Sequence, residues 1–359
     1  MRRIGILTGG GDAPGLNAVI RAAAKVLFKH GVELIGFIDG YSGLVEKKYR
    51  VLDRWAISGL LHRGGTILGT NNRDNPFNYP VKENGKTVFK DMSDTAVKNL
   101  NDLNIESLIA IGGDGSLAIA RELWEKGAKV IGVPKTIDND LMGTEQTFGF
   151  DTAVTTATEA LDKLHTTAES HHRVMVLELM GRYAGWIALY SGLAGGADVI
   201  LIPEIPWKLE NVVKKINQRK EEGKPFSIIV VAEGVKTPEG ELVVKQRIDE
   251  SGDPLRLGGI GQKVAKMVED ATGFETRVTV LGHLQRGGSP SPFDRILATR
   301  YGVAAAELAL KGEYGVMVSL INGKIQKTSL AGLKTTTRNV PTDSEVIYAA
   351  RKTGISFGD

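Results

Sequence analysis

Cysteine is absent from all 359 residues of the sequence. This absence excludes disulfide bonds, thiolate catalysis and cysteine-ligated metals. The sequence also lacks any apolar run close to the roughly 20 residues that a membrane-spanning helix needs. The apolar run after the basic start is too short for a signal peptide, because glycines follow from residue 9. We therefore expect a cytoplasmic protein.

An excess of one charge is lacking as well. The 45 basic and 42 acidic side chains give a formal net charge of +3, with no block of like charge. Such a balance gives no support for a nucleic-acid or membrane partner. Hydrophobic residues make up 42% of the chain, enough for a sizeable core. At roughly 150 residues per domain, the length predicts two domains.

Short β-branched runs alternate with amphipathic helical patterns along the chain. This alternation predicts mainly parallel sheets covered by helices on both faces, with ligands bound in the loops after the strands. The predicted strands cover residues 4–7, 32–38, 107–111, 129–133, 174–179, 198–202, 227–232 and 278–281. The predicted helices include residues 16–30, 117–126, 153–164, 209–222 and 258–272.

An internal similarity supports two similar lobes. Residues 109–134 and residues 177–203 both read as strand, glycine loop, helix, glycine, strand and proline. Residues 71–94 are polar and rich in turn signals, which predicts an exposed excursion. Residues 334–359 are polar and predict a short closing segment.

Two glycine loops follow predicted strands and open predicted helices. Residues 9–15 read Gly-Gly-Gly-Asp-Ala-Pro-Gly, and residues 112–116 read Gly-Gly-Asp-Gly-Ser. Glycine lets the backbone approach a ligand, and N–H groups at a helix start attract anions. Asp114 could hold Mg²⁺ that bridges phosphate oxygens. Tight turns, or helix capping by Asp114 or Ser116, would explain the same residues without a ligand.

The third loop, residues 134–140, reads Pro-Lys-Thr-Ile-Asp-Asn-Asp after a buried-looking strand. One aspartate could accept the proton of an attacking hydroxyl, and the other could act near the metal. A well-placed base supplies about 10²–10⁴ in rate. A cluster of Asx turns is the alternative explanation.

These loops, with Met-Gly-Arg-Tyr at 180–183 and Gly-His-Leu-Gln-Arg-Gly-Gly-Ser-Pro at 282–290, resemble motifs of the phosphofructokinase family. The resemblance runs in the family's order from residue 4 to about residue 310. It implies phosphoryl transfer from MgATP to the 1-hydroxyl of fructose 6-phosphate. It also implies an α/β fold of two similar three-layer α/β/α lobes with mainly parallel sheets and the active site in the cleft between them. The donor-binding lobe would be residues 1–149 plus 285–335, and the sugar-phosphate lobe residues 150–284 plus 336–359.

The resemblance also assigns site residues. Asp138 would be the base, with Thr136 and Arg182 as further catalytic residues, and Asp114 and Asp140 would hold Mg²⁺. The donor would contact Gly10, Arg73, Asp74, Gly112, Gly113, Asp114, Gly115 and Ser116, although an apparent insertion near residues 71–72 disturbs the alignment at Arg73. The sugar phosphate would contact Thr136, Ile137, Asp138, Arg173, Met180, Gly181, Arg182, Glu233, Arg277, His283, Leu284, Gln285 and Arg286. Arg173 and Arg277 match arginines that come from a neighbouring subunit, which implies a homodimer or homotetramer.

Two residues bear on the identity of the phosphoryl donor, and they point to different donors. Gly115 matches ATP-using members, whereas pyrophosphate users carry aspartate there; Lys135 matches pyrophosphate users. This mixture resembles the mixed-substrate branch of the family. A carboxylate beside an α-phosphate would be repulsive. A lysine can pair with phosphate in either donor, so it excludes little if its flexible stem can move aside. Gly115 therefore favours ATP, with a pyrophosphate-dependent enzyme as the alternative.

Two more distant alternatives are weaker. Lipid and dinucleotide kinases share the Gly-Gly-Asp-Gly loop but give no reason for the motifs at 180–183 and 282–290. A non-catalytic nucleotide-sensing paralogue would lack a base or a metal ligand, yet Asp114, Asp138 and Asp140 are present.

The effector pocket of allosteric bacterial members is matched only in part. Arg21, Lys25 and Arg54 resemble parts of it, but His165, Glu222 and Pro225 stand where cations are expected. We therefore expect little activation by ADP or inhibition by phosphoenolpyruvate.

Overall fold

The computed structural model describes residues 2–247, 255–333 and 336–359. Its strands are β1 Arg3–Thr8, β2 Glu33–Phe37, β3 Tyr49–Leu52, β4 Tyr79–Glu83, β5 Lys86–Lys90, β6 Ile105–Gly112, β7 Val130–Thr136, β8 Phe148–Gly149, β9 Val174–Leu179, β10 Val199–Leu201, β11 Ser227–Ala232, β12 Val244–Arg247, β13 Leu255–Leu257, β14 Thr276–Val280, β15 Val316–Ile321 and β16 Lys324–Ser329. Its helices are α1 Leu16–Lys29, α2 Tyr41–Val45, α3 Ser93–Asp102, α4 Asp114–Glu125, α5 Phe150–His171, α6 Trp186–Ala194, α7 Leu209–Glu221, α8 Ile260–Thr272, α9 Pro292–Lys311 and α10 Glu345–Lys352, with a 3-10 helix at Gly282–Arg286.

Two mainly parallel sheets form the framework. The larger one has the order β16-β15-β7-β6-β1-β2-β3, with β8 beside β7, and only its edge strands β3 and β16 pair antiparallel. The smaller one has the order β10-β11-β9-β14 and is parallel throughout. The predicted α/β fold with mainly parallel sheets is therefore confirmed.

Strand β6 shows why the central strands are mainly apolar. Ile109 and Ile111 pack with residues of α1 and α9, whereas Leu108 and Ala110 pack with residues of α3 and α4 on the opposite face. A strand covered by helices on both faces has no polar side. The larger sheet is therefore the middle of three layers.

The internal similarity in the sequence does not extend to strand pairing. Strands β6 and β7 are direct neighbours, whereas β11 lies between β9 and β10. The two sheets therefore differ in the order in which corresponding strands pair.

Several elements lie outside the predicted set. The polar stretch at 71–94 contains the hairpin of β4 and β5, whose turn has Asn84 and Gly85 at φ 50° and 78°. Helix α9 was not predicted; it packs against α1 and the larger sheet, so it has no single polar face to reveal it.

Across the described ranges, no helix combines the length and apolar character needed to cross a membrane.

Candidate active site

The first glycine loop lies at the carboxyl end of β1, beside the end of β6. The N–H of Gly9 donates to the carbonyl of Ile111 at 2.8 Å, and the N–H of Gly10 donates to the carbonyl of Asn71 at 3.0 Å. Gly10 has φ 74°, a conformation that residues with a side chain rarely adopt. These bonds bring residues 71–74, which include two predicted donor contacts, next to the loop.

The second glycine loop opens helix α4. A Cβ at Gly112 would lie 2.2 Å from the Cβ of Ser116, so the turn requires glycine there. A Cβ at Gly115 would instead meet no atom within 4 Å. Because N–H groups at the start of a helix attract anions, this open position borders a site suited to phosphate.

The third loop holds Asp138 in a buried position. Asp138 is only 4% exposed. The hydroxyl of Thr136 donates to Asp138 Oδ2 at 3.3 Å, and the N–H of Asp138 donates to the same hydroxyl oxygen at 3.1 Å. The next residue, Asn139, has φ 53° and accepts a bond from the N–H of Thr147 at 3.0 Å. The local bonds therefore fix the direction of the predicted base.

The carboxylates of the second and third loops influence one another. Burial raises the pKa of Asp140 to about 7, together with the negative charges of Asp138 and Asp114. Arg182 acts in the opposite direction on Asp140, and its Nη1 lies 3.7 Å from Asp114 Oδ1. Residues from three loops are thus close together: Asp114, Asp138, Asp140 and Arg182.

Two cations lie under the first loop. Lys135 is 4% exposed, and its Nζ donates to the carbonyl of Gly11. Burial lowers the pKa of Lys135 to about 8, helped by the positive charge of Arg286. Arg286 itself donates to the carbonyl of Asp12 at 3.2 Å. Lys135 is therefore held by the backbone of the first loop.

The residues that follow β9 and β11 of the smaller sheet lie on the other side of these carboxylates and cations. The N–H of Arg182 donates to Glu233 Oε1 at 3.1 Å, and the N–H of Met180 donates to Gln285 Oε1 at 2.9 Å. Burial raises the pKa of Glu233 to about 7, and the charge of Asp138 contributes. Loops from both sheets therefore converge on one cleft.

Arg173 and Arg277 lie elsewhere in the chain. Arg173 donates to Glu275 at 2.7 Å, and Arg277 pairs with the same carboxylate. Arg173 precedes β9, whereas Met180 follows it, and a strand of this length spans about 20 Å. These two arginines therefore do not join the cleft of their own chain, and their role across a subunit interface stays a prediction.

Three other predicted ligand contacts differ in exposure. Ile137 is 1% exposed and packs in the core, so a ligand can meet only its backbone. Gln285 is fully buried and binds Met180, which makes it a support for the neighbouring turn. Leu284 is 68% exposed on the 3-10 helix.

Two residues near the site were missed from the sequence. The hydroxyl of Tyr41 donates to the carbonyl of Ser116 at 2.7 Å and so supports the second glycine loop. Arg338 donates to the carbonyl of Asn139 at 2.7 Å. Tyr41 lies shortly after strand β2, where the rule for ligand loops applies. For Arg338 no local pattern exists, since its partner lies far away in the sequence.

We expect Glu233→Gln to stabilise the ligand-free protein more at about pH 8 than at about pH 5. A carboxyl group whose pKa is raised on folding contributes stability below its ordinary pKa, and this is lost as the pH rises through about 7. Glutamine carries no charge and can still accept the bond from Arg182. Thermal unfolding at both pH values checks this, with exposed Glu307→Gln as the control. Equal shifts in Tm at the two pH values would contradict it.

Comparison with known proteins adds independent findings. The phosphofructokinase family model matches residues 3–309. The chain is 55% identical to ATP-dependent 6-phosphofructokinase 2 of Clostridium perfringens, covering 100% of this chain and 99% of that protein. It is 53% identical to ATP-dependent 6-phosphofructokinase of Chloroflexus aurantiacus, covering 100% and 98%. The solved pyrophosphate-dependent phosphofructokinase of Nitrosospira multiformis superposes with a TM-score of 0.82 at 22% identity, covering 100% of this chain and 93% of that one, which shows a shared fold.

Proposed function

The chain belongs to the phosphofructokinase family, and we propose that it transfers the γ-phosphoryl group of ATP to the 1-hydroxyl of fructose 6-phosphate. The observation that carries this proposal is the convergence of Asp138, Asp140, Asp114 and Arg182 beside two glycine loops. Phosphoryl transfer depends mainly on positioning the two substrates and neutralising charge. The cleft contains groups suited to both tasks.

Asp138 is proposed to accept the proton of the attacking hydroxyl. A base must lie within hydrogen-bond reach of the proton that it removes. The bonds between Asp138 and Thr136 keep this carboxylate at the end of β7, where the third loop meets the cleft. Arg182 would stabilise negative charge on the phosphoryl group, since its guanidinium already lies near Asp114.

The residues present fit Mg²⁺ that arrives with the phosphates. Among the described residues, no group of three or more histidine, aspartate or glutamate side chains forms a metal site by itself. Mg²⁺ is usually bound by one or two carboxylates plus substrate phosphates. Asp114 and Asp140 would supply these carboxylates, and the negative charge of Asp138 beside them would also attract a cation. When bound, the ion neutralises phosphate charge.

ATP is the donor that the site favours over pyrophosphate. The space at Gly115 is open, which leaves room for the α-phosphate of ATP. We expect steady-state rates with fructose 6-phosphate and Mg²⁺ to be much higher with ATP than with pyrophosphate. Activity confined to pyrophosphate would reverse the donor assignment, and inactivity with both donors would overturn the proposed function.

Subunit contact is part of the proposal. Arg173 and Arg277 would bind the sugar phosphate of a neighbouring subunit, so the active form would be at least a homodimer. Residues 1–149 with 285–335 would bind the donor, and residues 150–284 with 336–359 would bind the sugar phosphate.

A further inference from the structure

Arg338 binds the loop that carries the proposed base. Its Nε and Nη2 donate to the carbonyl of Asn139 at 3.2 and 2.7 Å, and Nη2 also donates to the carbonyl of Glu145 at 2.9 Å. The N–H of Arg338 donates to the carbonyl of Asp140 at 2.8 Å. One residue therefore holds two successive carbonyl groups directly after Asp138.

Helix α6 holds Arg338 from the other side. Its guanidinium carbon lies 4.3 Å from the centroid of a Trp186 ring, and the indole N–H of Trp186 donates to the carbonyl of Arg338 at 2.7 Å. Glu204 accepts bonds from the N–H groups of Val340 and Gly185, both at 2.9 Å. The segment around Arg338 thus joins the third loop to the start of α6, which follows the turn containing Arg182.

The third loop depends on outside bonds for its shape. Asn139 has φ 53°, a left-handed conformation that persists when the surroundings fix it. Its side chain accepts from the N–H of Thr147 at 3.0 Å, and its carbonyl accepts from Arg338. Removing the guanidinium leaves that carbonyl without these bonds. The backbone between Asp138 and Asp140 is then held less firmly, by the N–H of Arg338 and the N–H of Thr147.

We propose that Arg338 is a positioning residue for phosphoryl transfer, which sets the geometry of Asp138 and Asp140 through the backbone of Asn139. This inference rests on the proposed function. The guanidinium is required for three tasks at once, because it bonds two carbonyls and stacks on an aromatic ring. A lysine has the same charge but lacks the planar fork.

The test compares Arg338→Ala and Arg338→Lys with Arg351→Ala, which removes a surface arginine paired with Asp359. We expect kcat to fall about 10²-fold in both Arg338 variants, because small misplacements of reacting groups have effects of that size. The KM values for ATP and fructose 6-phosphate should stay close to those of the wild type. Free guanidinium ion should restore part of kcat in the Ala variant, and the control should match the wild type.

A role in stability alone predicts other results. The Tm would fall, kcat would follow the folded fraction, and guanidinium would restore nothing; this pattern overturns the proposal. Full kcat in a folded Arg338→Lys variant also overturns it. Hydrogen exchange of residues 136–147 needs no substrate: faster exchange in Arg338→Ala is expected, and unchanged exchange contradicts the proposal. An inactive wild type would count against the proposed function, and the exchange result would then decide separately whether Arg338 holds the backbone of the third loop.

Discussion

Replacing Asp138 with asparagine is expected to lower kcat by about 10²–10⁴-fold while fructose 6-phosphate still binds. The substitution keeps the size of the side chain and its bond to Thr136. It removes the group that accepts the proton of the sugar hydroxyl. Because the variant leaves the loop bonds in place, the loss should appear in kcat and only weakly in the affinity for the sugar phosphate.

Steady-state kinetics and calorimetric titration with fructose 6-phosphate would measure both quantities. Asp162→Asn on the exposed side of α5 serves as the matched control. Wild-type kcat in a folded Asp138→Asn variant would show that another group removes the proton. A loss of sugar-phosphate binding that accounts for the whole rate effect would make Asp138 a binding residue.

Gly115→Asp is expected to lower kcat/KM for ATP by about 10²–10³-fold. Two like charges about 4 Å apart repel by about 4 kcal/mol at an effective dielectric constant of about 20. Folding should be little affected, because a Cβ at this position meets no atom within 4 Å. An acidic side chain in the first turn of α4 is also favourable for the helix dipole. The effect should therefore fall on the donor and leave stability almost unchanged.

Gly115→Ala separates charge from size. It should use ATP almost as well as the wild type, since its methyl group enters open space. Kinetics with ATP and with pyrophosphate, together with thermal unfolding, would compare the three proteins. Equal ATP kinetics in the Asp variant would remove the argument that residue 115 selects the donor. Equal losses in the Ala and Asp variants would indicate a steric effect.

The sequence identified the loops well because their requirements are local. Gly112 must lack a side chain to pack on Ser116, and both residues lie within one short stretch. Strand β6 is apolar because both of its faces are covered, so its position could be predicted from composition alone. The same local logic failed for α9, which contacts other elements on many sides and shows no clear amphipathic pattern.

The charges in the cleft could not be predicted from the sequence. The ammonium group of Lys135 is held by the carbonyl of Gly11, which lies far away in the chain. The raised pKa values of Asp140 and Glu233 arise from burial and from carboxylates on other loops. Burial and proximity of this kind exist only once the two sheets have been assembled.

The sequence by itself determined the α/β alternation, the three loops that follow β1, β6 and β7, and the family, since each depends on residues that are close together along the chain. Only the tertiary structure decided that Arg338 holds the backbone after Asp138 and that Lys135 is bonded to Gly11. The physical reason is that hydrogen bonds and desolvation act over a few ångströms in space. Their strength does not depend on separation along the chain, which is nearly 200 residues between Asn139 and Arg338.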